Sequence, residues 1–190
     1  MELLKEKIIK YGKVFPGNVL KVDSFLNHQV DTELLSEMGK EFCNRFQENN
    51  VTKILTIESS GIAIAAFVAR AMNLPMIFAK KTQTKNIAAE VYTSKVMSYT
   101  HGRVYDIIVS TEYLSKEDKI VIIDDFLANG KALEGLIELV NQAGAELVGC
   151  GIVIEKAFQG GGDALREKGI RIESLAKIAS MSDNSLVFAD

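Results

Sequence analysis

The stretch VIIDDFLANGKAL, residues 121–133, decides the fold. Three apolar residues, which Ile120 extends to four, run directly into two adjacent carboxylates, Asp124 and Asp125, and a turn of small residues and a helix-like pattern follow. A short apolar run bounded by turn residues is typical of a buried strand. We therefore expect a strand that brings both acids to the rim of a sheet, followed by a tight turn and a helix.

The turn after the two acids has the features of an anion-binding loop. The backbone N–H groups from Ala128 to Ala132 precede the hydrogen bonds of the predicted helix, and with the helix dipole they can bind a phosphate group. Gly130 lets an anion approach the backbone closely. Carboxylates beside such a loop accept hydrogen bonds from hydroxyls or help to hold a hydrated metal ion. The combination favours a phosphorylated sugar, and a solvated turn that carries two acids by chance is the alternative.

Strands and helices alternate along the rest of the chain. The patterns predict helices at 2–12 and 32–48, a strand at 53–57, a helix after the ESSG turn, strands at 75–81 and 119–124, a helix ending near Gly144, a strand at 146–156, a short helix in GGGDALREKG and a final strand at 171–178. The central strands are continuously apolar, which predicts an α/β fold with a mostly parallel sheet flanked on both faces by helices.

Ligands of such sheets bind at the carboxyl ends of the strands. We expect Asp124, the ESSG turn, Lys80 and Lys156 at those ends. Residues 82–112 are rich in Thr, Lys, Ser and Tyr and show no helical period. They are predicted to form a weakly structured insert with short β-like pieces, of the kind that is usually functional.

Composition narrows the class of protein. The chain has 190 residues, 47% of them hydrophobic and 25% charged, with a formal net charge of −3, which is typical of one soluble domain and argues against a bulk nucleic-acid binder. We expect no signal peptide and no membrane span. Cys43 and Cys150 belong to no disulfide or metal motif and are expected to be buried thiols of a reducing compartment, with a catalytic cysteine as the alternative. The expected location is the cytoplasm.

Two other phosphate-binding patterns do not fit the chain. One glycine stands before Lys131, and Ala132 occupies the position where a P-loop NTPase carries the Ser or Thr that binds Mg²⁺. The pair Gly149-x-Gly151 lacks the third glycine of a dinucleotide fingerprint at Ile154.

The stretch VIIDDFLANGKA resembles the phosphoribosyl diphosphate (PRPP) motif of the type I phosphoribosyltransferases: an apolar strand, two acids, two apolar residues and a small-residue loop. The stretches LKVDSFLNHQVD, IESSGIA and GIVIEKAF resemble, in order and spacing, the bacterial xanthine-using branch of that family. The resemblance implies transfer of ribose 5-phosphate from PRPP to N9 of xanthine, with Mg²⁺. It also implies a homodimer and one domain over 1–190, with a small hood from about 1–35 plus the C-terminal part and a flexible lid at about 82–112.

The resemblance also implies roles for single residues. Asp124 and Asp125 take the ribose hydroxyls and lie near Mg²⁺, which is held mainly through PRPP. The implied PRPP-binding residues are Ala128, Asn129, Gly130, Lys131, Ala132, Ser59, Ser60, Gly61, Ser98 and Tyr99. The implied purine contacts are Leu20, Asn27 and Lys156.

Physical arguments add to the purine end of the implied site. Lys156 can donate a hydrogen bond to the C6 oxygen of xanthine and favour its anion, whereas the amino group of adenine is a donor and gains little from a cation. Phe126 and Phe158 could stack on the purine, or equally belong to the core, and of the two Phe158 is favoured as a wall of the site. For Lys156 the alternative is a surface lysine at the end of a strand.

Three other functions stay open at this point. The base could be hypoxanthine or guanine instead of xanthine. The chain could be a non-catalytic PRPP sensor, although such regulators carry a DNA-binding domain and this acidic chain shows no basic surface pattern. An enzyme of other sugar-phosphate chemistry, such as a ribose-phosphate isomerase, would be indifferent to changes at Lys156.

Overall fold

The computed structural model of the protein describes residues 1–82, 90–98, 103–182 and 185–189. Within these residues the α-helices are α1 (Glu2–Tyr11), α2 (Thr32–Phe46), α3 (Ser60–Met72), α4 (Lys131–Gln142) and α5 (Gly161–Glu167). The strands are β1 (Lys13–Phe15), β2 (Val19–Lys21), β3 (Lys53–Ile57), β4 (Met76–Thr82), β5 (Val91–Ser98), β6 (Arg103–Ser110), β7 (Lys119–Leu127), β8 (Glu146–Lys156), β9 (Ile172–Ser182) and β10 (Ser185–Phe188).

The described strands form a two-stranded hairpin, β1–β2, and one larger sheet in the order β10-β9-β8-β7-β3-β4-β6-β5. Neighbouring strands from β9 to β4 are parallel, whereas β10, β6 and β5 pair antiparallel. The predicted α/β architecture with a mostly parallel sheet is confirmed.

Side-chain alternation along β7 divides the core between the two faces of the sheet. Val121 and Ile123 pack with residues of α1, α2 and α3 on one face, and Ile120 and Ile122 pack with residues of α4 on the other. Successive residues of a strand point to opposite faces, so a continuously apolar strand must be covered on both. Leu20 of the β1–β2 hairpin belongs to the first of these clusters, so the N-terminal segment packs on that face.

Strand β7 is longer than the sequence predicts. The predicted end at Asp124 is wrong, since the strand runs to Leu127 and contains both acids. The physical reason is the partner strand: β8 continues to Lys156, and Phe126 and Leu127 pair with its Ile154 and Glu155.

The described part of the 82–112 insert is a regular antiparallel hairpin, β5–β6, so the prediction of weak structure is wrong there. Residues 83–89 and 99–102 lie outside the described residues. Ser94 and Val96 are 3% and 2% exposed, whereas Met97 is 50% exposed. This alternation of a buried and an open face stabilises the strands despite their polar composition.

Helix α4 anchors this hairpin. The Gln142 side chain accepts the Thr93 N–H (3.2 Å) and donates to the Thr93 carbonyl (2.7 Å), and the Ser94 hydroxyl donates to Glu138 at 2.5 Å. Val96 packs where Gly135 leaves room, since a Cβ at Gly135 would lie 2.5 Å from Val96 Cγ2. Side-chain amides thus satisfy backbone groups on an edge strand, which would otherwise be unpaired.

The C-terminal region contains one strand more than predicted. The predicted final strand at 171–178 is β9, which continues to Ser182, and β10 then returns antiparallel to it. Of the helices in the described residues, none has the length and apolar character needed to cross a membrane.

Candidate active site

A cavity of about 520 Å³ opens where β7 and β8 end. Its walls come from the β1–β2 turn, the loop between β7 and α4, the end of β8 and the β5–β6 hairpin; the lining residues are Gly17, Asn18, Val19, Val96, Met97, Tyr105, Phe126, Leu127, Ala128, Asn129, Gly130, Lys131, Ala132, Leu133, Lys156 and Gln159. The carboxyl ends of parallel strands are the usual ligand site of such a sheet. All five loop residues predicted to bind phosphate line the cavity.

The loop from Ala128 to Ala132, called the phosphate loop below, ends at the N-terminus of α4. Gly130 is the N-cap residue with φ +83°, and the Glu134 N–H donates to its carbonyl at 2.8 Å. Because this is the first i to i−4 hydrogen bond of α4, the N–H groups of Ala132 and Leu133 precede the hydrogen-bonded part of the helix. The positive end of the α4 dipole and these amide groups are suited to bind a phosphate group.

Replacing Gly130 with Ala is expected to weaken phosphate binding. A left-handed φ costs a residue with a Cβ about 1–2 kcal/mol, and a Cβ at Gly130 would also lie 3.3 Å from Leu165 Cδ1. Gly169 is the matched control, because its φ is +81° and its Cβ would meet nothing within 4 Å. Both variants should lose similar stability in urea unfolding, whereas the Michaelis constant for PRPP should rise only in Gly130→Ala. An equal effect of both variants on that constant would contradict the assignment.

The two adjacent acids, Asp124 and Asp125, have different environments in the structure. Asp124 is 5% exposed, and its Oδ1 accepts the Asp125 N–H at 2.9 Å. Burial, and next the charge of Asp125, raise the pKa of Asp124 well above its ordinary value. Asp125 is only partly buried, and its Oδ1 accepts the Phe126 N–H at 3.0 Å. Asp125 is therefore the more exposed of the two acids, and the residues that line the cavity include neither of them.

The ESSG turn packs against the buried acid. A Cβ at Gly61 would overlap Thr56 Oγ1 and would lie 3.4 Å from Asp124 Oδ1, so only glycine fits there. Thr56 Oγ1 is buried and makes no hydrogen bond within the described residues. Ser59 is exposed and Ser60 is half-buried at the start of α3. The predicted pyrophosphate turn is thus a neighbour of Asp124, although its residues do not line the cavity.

Lys81 and Tyr105, which the sequence did not indicate, also lie near Asp124. Lys81 Nζ lies 5.3 Å from the centroid of the Tyr105 ring, and its charge opposes the rise in the pKa of Asp124 that burial causes. Burial and the charge of Asp124 raise the pKa of Tyr105, which lines the cavity. Lys80, which we had expected near the site, lines another cavity on the other side of β4. Successive residues of a strand point to opposite faces, so Lys80 and Lys81 lie on different faces of β4. The sequence alone did not indicate which of these faces carries the site.

Lys156, the last residue of β8, lines the same cavity as the phosphate loop. Its Nζ donates to the Asn18 carbonyl at 2.8 Å and lies 5.5 Å from the centroid of the Phe126 ring. Burial lowers the pKa of Lys156. An aromatic wall next to a partly desolvated cation is suited to a flat ligand that carries an acceptor oxygen.

The other predicted purine contacts lie elsewhere. Leu20 is 6% exposed and belongs to the core, while its neighbour Val19 lines the cavity. Asn27 is exposed at the end of a turn of π-helix, Asp23–Asn27, and Phe158 is 37% exposed; the lining of the cavity includes neither. Of the two predicted stacking residues, the structure brings Phe126 to Lys156, so the preference for Phe158 is wrong.

The predicted lid contacts are described in part. Ser98 ends strand β5 by its backbone, and Tyr99 lies outside the described residues. A protein-only metal site is not formed in the described ranges, where no three His, Cys, Asp or Glu side chains are grouped to hold an ion. Two carboxylates alone do not complete the coordination of a metal ion, so an ion at this place would take most of its ligands from a bound molecule.

The fold is that of a phosphoribosyltransferase, and the family model of the phosphoribosyl transferase domain matches residues 30–168. The chain is 60% identical to xanthine phosphoribosyltransferase of Alkaliphilus metalliredigens over 190 residues, 100% of this chain and 94% of the relative. It is 56% identical to that of Ruminiclostridium cellulolyticum over 190 residues and 100% of both chains. The APRTase of Giardia lamblia, solved with 9-deazaadenine, has the same fold, with a TM-score of 0.77, 21% identity and coverage of 92% of this chain and 97% of that one. The chain belongs to the xanthine phosphoribosyltransferase family.

Proposed function

We propose that the chain transfers ribose 5-phosphate from PRPP to N9 of xanthine, giving xanthosine 5′-monophosphate and pyrophosphate. The observation that carries the proposal is a single cavity lined both by the phosphate loop and by a partly buried lysine beside an aromatic ring. Neighbouring strands bring the two groups to this cavity, since β7 leads into the loop and β8 ends at Lys156. The names of the full-length relatives support xanthine as the base.

PRPP has a defined orientation in this proposal. Its 5-phosphate binds the amide groups of Ala128, Asn129, Gly130, Lys131 and Ala132. The ribose hydroxyls donate to Asp124 and Asp125, and the pyrophosphate lies towards the turn of Ser59, Ser60 and Gly61. Ser98 and Tyr99 close over the bound sugar, in a lid that includes the β5–β6 hairpin.

Xanthine stacks on Phe126 in this arrangement and accepts a hydrogen bond from Lys156 through its C6 oxygen. Lys156 donates to the Asn18 carbonyl in the structure. The purine therefore replaces this carbonyl as the acceptor or shares the Lys156 ammonium with it. The N9–C1 bond forms as the bond from C1 to pyrophosphate breaks, and positive charge develops on the ribose. Ala128 provides no side chain that could act as a general base in the loop. The acidity of xanthine and the positive charge of Lys156 instead favour the xanthine anion, which attacks C1.

Mg²⁺ belongs to the proposal as an ion carried by PRPP near Asp124 and Asp125. When bound, it offsets the negative charge of the departing pyrophosphate. The hood, the homodimer and the cytoplasmic location are likewise proposals. Both cysteines are free thiols, which is compatible with a reducing compartment. The expectation that both are buried is wrong for Cys43, which is half-buried, whereas Cys150 is buried.

The test is a mass balance of the reaction. The purified protein, PRPP, Mg²⁺ and xanthine should give xanthosine 5′-monophosphate and pyrophosphate in equal amounts, and omission of Mg²⁺ should abolish both. Pyrophosphate release without nucleotide would indicate hydrolysis, and PRPP binding without either product would indicate a sensor; each result contradicts the proposal.

A further inference from the structure

Directly behind the phosphate loop lies an ion-pair cluster on β8, α5 and β9 that the proposed reaction does not use. We propose that Glu155 and Arg166 are positioning residues, which hold α5 against the phosphate loop and so fix the loop in the geometry that binds the 5-phosphate of PRPP. The identity of the ligand, PRPP, rests on the proposed function. The positioning of the phosphate loop by α5 rests on the described contacts alone.

The first turn of α5 touches the back of the phosphate loop without a gap. The Gly161 N–H donates to the Ala128 carbonyl at 3.2 Å. A Cβ at Gly161 would lie 2.5 Å from the carbonyl carbon of Asn129 and 2.6 Å from the Gly130 nitrogen. Any movement of α5 must therefore move the loop, because backbone meets backbone at this contact.

Helix α5 is held in turn by a buried carboxylate. Arg166 donates to both oxygens of Glu155, at 2.8 and 2.7 Å, and the Glu155 side chain is 1% exposed. The Ser174 hydroxyl also donates to Glu155. Burial acts to raise the pKa of Glu155, but the bonds from Arg166 and Ser174 outweigh it and the pKa is lowered, so the carboxylate is charged. Paired geometry of this kind fixes both position and orientation.

The ion pair also lies one residue from Lys156 along β8. Glu155 directly precedes Lys156 on β8, so the residue that holds α5 and the residue proposed to bind the purine share one strand end. A Cβ at Gly162 would overlap Glu155 Oε1 and lie 2.8 Å from Arg166 Nη1, which shows how closely the helix sits on the ion pair. An isolated helix of seven residues is not stable on its own. Its position therefore depends on these contacts.

The test compares Arg166→Met with Arg45→Met. Arg45 is a matched control, since it is 26% exposed against 30% for Arg166 and pairs with Glu41 and Glu173, which have no described contact with the loop. Arg166→Met is expected to raise the Michaelis constant for PRPP about tenfold or more, because a small misplacement of a binding group has a large effect. The constant for xanthine should stay within about twofold. Arg166→Lys, which keeps the charge and loses the paired geometry, should restore part of the affinity.

Two further measurements keep the test decisive. If Arg166→Met does not fold, the double variant Glu155→Gln/Arg166→Gln removes both charges and leaves no unpaired one, and the same rise is expected. Amide hydrogen exchange at 128–132 should accelerate in the Arg166 variants without any ligand, and should not change in Arg45→Met. Unchanged exchange together with an unchanged PRPP constant would overturn the inference. A wild type without turnover would instead defeat the proposed function, while the exchange data would still decide the mechanics.

Discussion

The double substitution Asp124→Asn/Asp125→Asn is expected to lower transfer by about a thousandfold or more, while raising the free energy of unfolding at neutral pH. Loss of one preorganised group in a polar site costs about 10²–10³ in rate, and this variant removes both acceptors proposed for the ribose hydroxyls. Stability should move the other way, since the buried Asp124 carboxylate has the charge of Asp125 as a neighbour and a pKa raised well above its ordinary value.

The sign of the stability effect follows from proton binding. A group with a raised pKa binds its proton more tightly in the folded protein, so its contribution to stability falls as pH rises from the unfolded value of 3.8 through the folded pKa. Asn carries no charge and keeps the oxygen that accepts the Asp125 N–H. The gain is expected to be on the order of 1 kcal/mol, or about 2–4 °C in melting temperature for a chain of this size. It should be measured in EDTA and should grow from pH 4 to neutrality.

Asp118→Asn is the control with the opposite sign. Burial acts to raise the pKa of Asp118, but Lys53 Nζ and the Ser115 N–H, each at 2.9 Å, outweigh it, and the pKa is lowered. Its carboxylate therefore stabilises the fold above the unfolded pKa, and this contribution is lost as pH falls through the lowered one. Asp118→Asn should destabilise the protein at neutral pH and leave transfer intact. Loss of stability in both variants would contradict our account of Asp124.

Lys156→Met is expected to lower kcat/KM for xanthine by about a hundredfold or more, and to leave the Michaelis constant for PRPP nearly unchanged. A site built to hydrogen-bond its substrate loses that much when the paired polar group is removed. Lys156→Arg should keep part of the activity, because the charge and donors remain. The control is Lys119→Met, at the opposite end of the sheet, whose lysine pairs with Glu146 at 2.9 Å.

The pH profile gives a second test of the role of Lys156. Burial lowers the pKa of this lysine, so its charge, and with it kcat/KM for xanthine, should be lost at a lower pH than for an exposed lysine. In Lys156→Arg the alkaline limb should move upward, because a guanidinium stays charged. If the alkaline limb is identical in the wild type and in Lys156→Arg, a group other than Lys156 causes the loss of activity at high pH.

Local patterns explain which features could be predicted from sequence. The β7–loop–α4 unit is contiguous, and its apolar run, Gly130 and helix period predict a phosphate loop that the structure places at the end of the parallel sheet. Strand β8 is also bounded as predicted, at Glu146 and Lys156. Features set by one stretch of chain are thus accessible to sequence reasoning.

Features set by distant contacts were not accessible. Asp124 and Asp125 look alike in the sequence, and only the covering of β7 by the rest of the fold makes one buried and the other half-exposed. The alternation of the β5–β6 hairpin is hidden among Thr, Lys and Ser, and becomes visible when Val96 meets Gly135 of α4. Lys156 meets Asn18 from 138 residues away. No local pattern carries such information.

The most direct test of the account is the base preference of the reaction. Steady-state kcat/KM should be measured with saturating PRPP and Mg²⁺ for xanthine, hypoxanthine, guanine and adenine. The account predicts a strong preference for xanthine, with adenine last, because its C6 amino group cannot accept a hydrogen bond from Lys156. Guanine, hypoxanthine or adenine as the best substrate, or no turnover with any base despite PRPP binding, would contradict it.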